Sequence, residues 1–340
     1  MATLRERVTA PAHLDTPTAI GGLTFRPGSV ADLPAVHELA VAVAAVDDPH
    51  ERPSTDDLAN TFSTEGLDPA RDSVVGVDAE GHVHAYGIVI GIPSRVTAAR
   101  VVLVGAVRPE LRGQGIGRRV MAWQVSRARQ QLAALDVDLP GAIDLSASEG
   151  SPTLRLAARS GLLPVRHWTD MEAPLVGTEP PVVPALPDGL VLRAATPDDI
   201  EPMRIAKNDA FRDHWGSQPM VASDWNGFLT TGKTRLDLSR VVLDTDGSVL
   251  AFTVVESDPE AFAARGRSFA DLHWVGVVRR ARGRGLAPVV VGATLDAIRA
   301  AGLDAAVLLV DAENPSGAVA LYERLGFVGG HVSVTVSTAV

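Results

Sequence analysis

Two short runs in this 340-residue sequence space glycines and basic residues so that they could do chemistry: Arg112-Gly113-Gln114-Gly115-Ile116-Gly117 and Arg282-Gly283-Arg284-Gly285-Leu286-Ala287. Each follows an apolar, β-branched run and leads into a long apolar-periodic stretch, the pattern of a strand that turns directly into a helix. The first N–H groups of a helix have no intrahelical partner and sit at the positive end of its dipole, so such a turn binds phosphate. Glycine at 113, 115, 283 and 285 lets the backbone approach an anion without a Cβ collision, and the arginines add charge-assisted hydrogen bonds. The small residues Gly117 and Ala287 allow close helix packing. A single turn of this kind also reads as a plain strand-to-helix connection; two in matching contexts favour the anion. No Gly-Lys-Ser/Thr follows, which excludes a P-loop, and the chain does not open with a strand into Gly-x-Gly-x-x-Gly, as a dinucleotide fold would.

The elements that must hold these turns are themselves repeated. Leu23 to Ser29 and Leu190 to Thr196 both read as a short strand, a turn and a helix start, with Ser29 and Thr196 as N-caps and acids in the first turn. A hairpin follows in each half. Ser73–Asp78 and His82–Gly91 flank a turn at 79–81, and Arg240–Thr245 and Ser248–Glu256 flank Asp246-Gly247. Arg112 and Arg282 lie 170 residues apart, half the chain length, so the repeating unit is a whole domain. The expected domains are 21–176 and 190–340. Between them, a proline-rich linker at 177–189 should be extended and stiff, and residues 1–20 should be a flexible or loosely docked arm.

Composition fits this division: 340 residues are too many for one ordinary core and suit two, and 46% hydrophobic with 21% charged residues is a globular balance. The absence of cysteine removes disulfides, thiolate metal sites and cysteine nucleophiles, and no metal is expected. A net charge of −10 argues against nucleic acid and suits a cationic or neutral small substrate. No stretch approaches ~18 consecutive apolar residues, and the start lacks the basic-then-apolar order of a signal peptide, so a cytoplasmic protein without a membrane partner is expected.

A strand followed by Arg-x-x-Gly-x-Gly/Ala resembles the acetyl-CoA pyrophosphate loop of the GCN5-related N-acetyltransferase (GNAT) superfamily. The second half also carries a block similar to the family's downstream signature: strand Ala305–Asp311, then Asn314, Ala-Val-Ala-Leu-Tyr322 and Leu325-Gly326-Phe327. Together the two copies extend the resemblance over nearly all of residues 20–340. It implies an α+β (mixed α/β) protein of two GNAT folds in tandem. Each would be a twisted, mixed, mostly antiparallel sheet flanked by helices, with splayed central strands. It also implies acetyl-CoA as cofactor, bound with its pantetheine between those strands, and direct attack by a primary amine of a small molecule. Backbone N–H groups of the strand before the loop, at Val275 and Val277, would polarise the thioester.

By the same resemblance, Tyr322 meets the coenzyme sulfur as proton donor and Asn314 binds pantetheine or the backbone beside the open strand. Asp271 and His273 share a strand face, apart from any bulge, and either could take the amine proton through a water; Glu256, at the end of the preceding strand, is a third candidate. Aligning Ser160-Gly161-Leu162 with Leu325-Gly326-Phe327 sets Ala157 against Tyr322 and Glu149 against Asn314. A methyl group cannot donate a proton, so the first copy is expected to be weak or silent. The segment after the first helix of the second copy is where the family places its acceptor, and Asp213, His214, Trp215 and Trp225 there could wall a small amine; a packed surface helix pair is the plainer reading. The tandem arrangement and Val310-Asp-Ala-Glu-Asn-Pro315 are similar to mycothiol synthases, which act on a cysteinyl pseudodisaccharide. Asp271 stands where that group carries a glutamate, but Val278-Arg279-Arg280 replaces its usual acidic residue after the strand. Other small-amine acetyltransferases and a non-catalytic acyl-CoA sensor remain as alternatives. Either a monomer, its two copies serving as each other's partner, or a homodimer is compatible with the duplication.

Overall fold

The computed structural model describes residues 2–47, 53–230, 232–313 and 317–340. Its strands, in chain order, are β1 (Thr24–Pro27), β2 (Ser73–Val77), β3 (Val83–Gly91), β4 (Ala99–Val107), β5 (Gly141–Ser148), β6 (Leu163–Pro174), β7 (Val191–Ala194), β8 (Arg240–Leu243), β9 (Val249–Glu256), β10 (Phe269–Val277), β11 (Ala305–Asp311) and β12 (Val328–Ala339). The chain folds as two units, Met1–His167 with Ser333–Val340, and Trp168–Val332. Among the described residues no helix is long and apolar enough to cross a membrane.

In the first unit β1 to β4 form an antiparallel meander, β4 runs parallel to β5, and the Ser333–Ala339 part of β12 closes antiparallel on β5. The second unit repeats the pattern: β7 to β10 are antiparallel, β10 is parallel to β11, and the Trp168–Pro174 part of β6 lies antiparallel on β11. Each unit therefore takes its last strand from the other half of the sequence.

The parallel pairs are short and then part. β4 and β5 pair over Ala99–Val102, and β10 and β11 only over Phe269–Asp271 against Ala305–Val307. From Leu272 to Val277 one edge of β10 faces no strand, which leaves backbone hydrogen-bonding groups open. The Val278 N–H donates to the Leu250 carbonyl at 2.9 Å, so alternation along the strand turns the N–H groups of Val275 and Val277 toward this opening. The expected splayed central strands are thus present in both units.

Local chemistry fixes the start of each sheet in the same way. Asp32 accepts from the backbone and hydroxyl of Ser29, and Asp199 from those of Thr196, at 2.8–2.9 Å. Arg26 and Arg193 close on these aspartates with two bonds each. Both carboxyls are held below the usual carboxylate range, chiefly by their arginine. The segment expected as an arm is held down near its start. Leu4 is fully buried, its N–H donates to the Val137 carbonyl, and Arg5 pairs with Asp136. Burying one leucine stabilises by about 1.5–3 kcal/mol, which offsets the ordering of about one or two residues.

Candidate active site

In the second unit a turn of 3-10 helix at Arg279–Ala281 leads through Arg282 and Gly283 to Gly285, the N-cap of the helix Leu286–Ala300. Gly283 and Gly285 have φ of +75° and +74°, a region side chains with a Cβ rarely enter. No side chain caps the helix start, where Ala287 follows the buried Leu286. A Cβ on Gly283 would meet nothing within 4 Å, and one on Gly285 only Pro184 Cγ at 4.0 Å. An open row of N–H groups flanked by exposed Arg282 and Arg284 fits a diphosphate, and the open edge of β10 fits an extended chain running from it.

The first unit's turn is more closely lined. A Cβ on Gly115 would stand 3.1 Å from Ile20 Cδ1, and Gly21 lies so close to Ile116 and Gln114 that a side chain there would collide. Arg112 is committed to Asp47 by two bonds of 2.7 and 2.8 Å and also donates to the Val107 carbonyl. Gly113 is open, and Gly117 packs near Leu156.

Asp271, His273 and Glu256 come together. Asp271 pairs in register with Glu256 across β10 and β9, and His273 Nδ1 lies 3.4 Å from the Glu256 carboxylate. His273 and Asp271 do not share a face by simple alternation. Leu272 and Trp274 oppose consecutive residues of β9, so His273 is the extra residue of a β-bulge and turns outward between Phe228 and Trp274, at 4.7 Å from each ring. Although 37% of the side chain is exposed, poor hydration of the ring pushes its pKa down to about 4, leaving a neutral imidazole at pH 7. Asp271 is pushed up to about 7 by burial and by the like charges of Glu256 and Asp170, with Arg265 pulling the other way.

Sequence reasoning missed Asp170, Glu172, Arg265 and Arg267. Arg265 meets Asp170 at 2.7 Å and Glu172 at 3.5 Å, and Arg267 meets Glu172 at 2.6 Å. Across the register Glu256–Asp271–Val307–Glu172, strand pairing sets Glu172 two strands from Asp271, and Asp170 on the same strand is close enough to act on its charge. Only the alternation of Asp170 and Glu172 along β6 was visible beforehand, and it carried no sign of which strand they would join.

Tyr322 is 8% exposed on the helix Ala318–Arg324 and edge-on to Phe327. Burial holds its phenol well above the usual range, so it keeps its proton at neutral pH. Asn314 lies outside the described residues.

Ala157 occupies the equivalent place in the first unit. Its carbonyl accepts from the N–H groups of Ser160 and Leu162, as that of Tyr322 does from Leu325 and Phe327. In the same frame Val101 and Gly91 stand opposite each other where Asp271 and Glu256 do, and β4 has no bulge. The first unit therefore has no counterpart of the Asp271, Glu256 and Tyr322 side chains.

Two acceptor candidates change place. Trp225 is fully buried, stacks on Trp274 at 5.0 Å and donates its indole N–H to the Ile200 carbonyl, so it belongs to the core beneath His273. Asp213 bridges Arg279 at 2.8 Å and Arg282 at 3.3 Å, holding the glycine turn's arginines. His214 packs against Phe211 and Trp168 at 5.4 and 5.8 Å and, like Trp215, is half-buried. Lys207, buried beside Phe211 and Trp274, is lowered to about 8.

This combination of splayed strands and an open glycine turn defines an acyl-CoA-dependent acyltransferase of GNAT type, and comparison with known proteins agrees. The acetyltransferase (GNAT) family model matches residues 200–327. The chain is 28% identical over 287 residues to the mycothiol acetyltransferase of Tsukamurella paurometabola, covering 79% of this chain and 90% of that protein. It is 31% identical over 238 residues to that of Nocardia farcinica, covering 67% and 71%. The crystal structure of a GCN5-related N-acetyltransferase from Sphaerobacter thermophilus shares the fold over 96% of this chain and 97% of that one, with a TM-score of 0.72 at 24% identity. The chain belongs to the GNAT acetyltransferase family, and within it to the tandem proteins similar to mycothiol acetyltransferases.

Proposed function

We propose that the second unit transfers an acetyl group from acetyl-CoA to a primary amine of a small molecule by direct attack. Acetyl-CoA supplies the activated thioester. The glycine turn and Arg282 would hold the diphosphate, and the N–H groups of Val275 and Val277 would hold the extended arm and polarise the carbonyl. Asp271, poised near neutrality, takes the amine proton with Glu256 and His273 beside it, and Tyr322 donates to the departing sulfur. His214 and Trp215 are the remaining acceptor contacts.

The observation that carries this reading is the coincidence, in one unit, of the open β10 edge with Asp271 raised to about 7. The first unit, with Val101, Gly91 and Ala157, would serve as support. The test is amine-dependent thiol release from acetyl-CoA by wild type and Tyr322→Phe. We expect kcat to fall ~10²-fold or more with coenzyme affinity kept, because a general acid contributes about that much. Unchanged kcat would remove Tyr322 from the chemistry. The similarity to mycothiol acetyltransferases favours a cysteinyl pseudodisaccharide as a second reading of the acceptor; preference for it over simple amines in the same assay would establish it.

A further inference from the structure

We propose that Asp78, His82 and His84, at the tip of the β2–β3 hairpin of the first unit, form a binding site for a divalent transition metal, with zinc as the best match. Their ligand atoms all lie within 4.8 Å of one another. One carboxylate oxygen, Asp78 Oδ2, faces both imidazoles, at 2.7 Å from His84 Nε2 and 3.2 Å from His82 Nδ1. Its other oxygen, Oδ1, accepts from the backbone N–H groups of Glu80 and His82 at 3.1 and 2.8 Å, which aims Oδ2 at the rings. His84 Nδ1 is enclosed without a partner among the described residues, so Nε2 is the nitrogen available to an ion. Two imidazoles and one carboxylate are an N2O donor set suited to zinc with an open fourth position. Tetrahedral ligands at ~2.0 Å from zinc stand ~3.3 Å apart, so the 2.7 Å contact must open by roughly half an ångström, and the two ring nitrogens, within 4.8 Å of one another, must reach the same spacing.

The turn itself does not require the histidines. In the second unit Asp244 makes the same hairpin, its N–H donating to the Ser248 carbonyl as that of Asp78 does to His82. There Ser248 and Leu250 take the histidine positions, and the aspartate pairs with Arg280 instead. Geometry common to both hairpins explains the aspartate; the two imidazoles facing it are an addition of the first.

The experiment is calorimetric titration of tag-free, chelator-treated full-length protein with Zn2+, with Co2+ absorption as a second readout. We expect one saturable equivalent per chain and visible Co2+ bands showing nitrogen ligation. His82→Ala, at a side chain 74% exposed and so without effect on folding, should weaken Zn2+ at least ~10-fold and abolish the bands. His84→Ala should do the same. Zn2+ uptake that is absent, or equal in wild type and His82→Ala, would overturn the proposal and leave the cluster a hairpin clamp. Thermal unfolding with and without Zn2+ supplies an independent arm: the midpoint should rise in wild type and stay fixed in His82→Ala.

Discussion

Asp271, the candidate base, shows how a side chain can be set against the stability of its own fold. Its carboxyl ionises only near pH 7 because strand pairing packs it with Glu256 and near Asp170 in a poorly hydrated site. The base form therefore accumulates above that pH, and kcat/KM should rise through about 7 and level off; Asp271→Asn should abolish this limb and most activity. The linkage sign is fixed as well. A carboxyl with a raised folded-state pKa destabilises the fold as pH climbs past its ordinary value, in full once pH exceeds about 7. Asp271→Asn should accordingly melt higher than wild type at pH 8 and close to it at pH 4, and a lower midpoint at pH 8 would contradict this electrostatic account. Tyr322 and its replacement Ala157 were legible because helix and following turn are contiguous in sequence, so one offset aligns both. Asp170 and Arg265 were not, since only the pairing of β6 with β11 brings residues 95 positions apart together.

Elements carried most of the early legibility. Alternation and turn glycines announced the hairpins, and Ser29 and Thr196 announced the helix starts that Asp32 and Asp199 complete. Asp199→Asn would keep one oxygen for Arg193 but lose the other bond and the charge, and would set a buried NH2 among donors. We expect a loss of about 1–3 kcal/mol of stability at pH 7, read by chemical denaturation. Because that carboxyl titrates below its usual range when folded, its contribution is present above the unfolded pKa and fades as pH falls through the folded one. The difference between wild type and Asp199→Asn should therefore shrink in acid. The bulge at His273 escaped sequence reading: a one-residue insertion in a ladder leaves no mark when both strands keep β-branched, apolar patterns. It is what turns the imidazole out beside Glu256, and the first unit, with an uninterrupted β3–β4 register, has no equivalent.

At the scale of the whole molecule, a duplicated sequence yields two units that each borrow a closing strand. The halves of the sequence suggested domains 21–176 and 190–340, but a linear boundary cannot express an exchange in which Ser333–Ala339 pairs with β5 and Trp168–Pro174 with β11. A chain ending at residue 332 would leave β5 with an unpaired edge, so we expect the first unit to unfold earlier or to aggregate. Unchanged unfolding of that unit would show that β12 contributes nothing to it. The two units differ in the same comparison: both have the splayed sheet, while the second also has the open turn, the bulge and the candidate acid–base groups. The most direct test is Gly285→Val, which puts a β-branched residue at φ +74° and a side chain over the helix N-terminus. The variant should lose acetyl-CoA binding by calorimetry to the second unit and lose thiol release ~10²-fold or more, with its circular dichroism unchanged. Wild-type turnover by a folded Gly285→Val protein would contradict the account, since acyl transfer would then not depend on this turn.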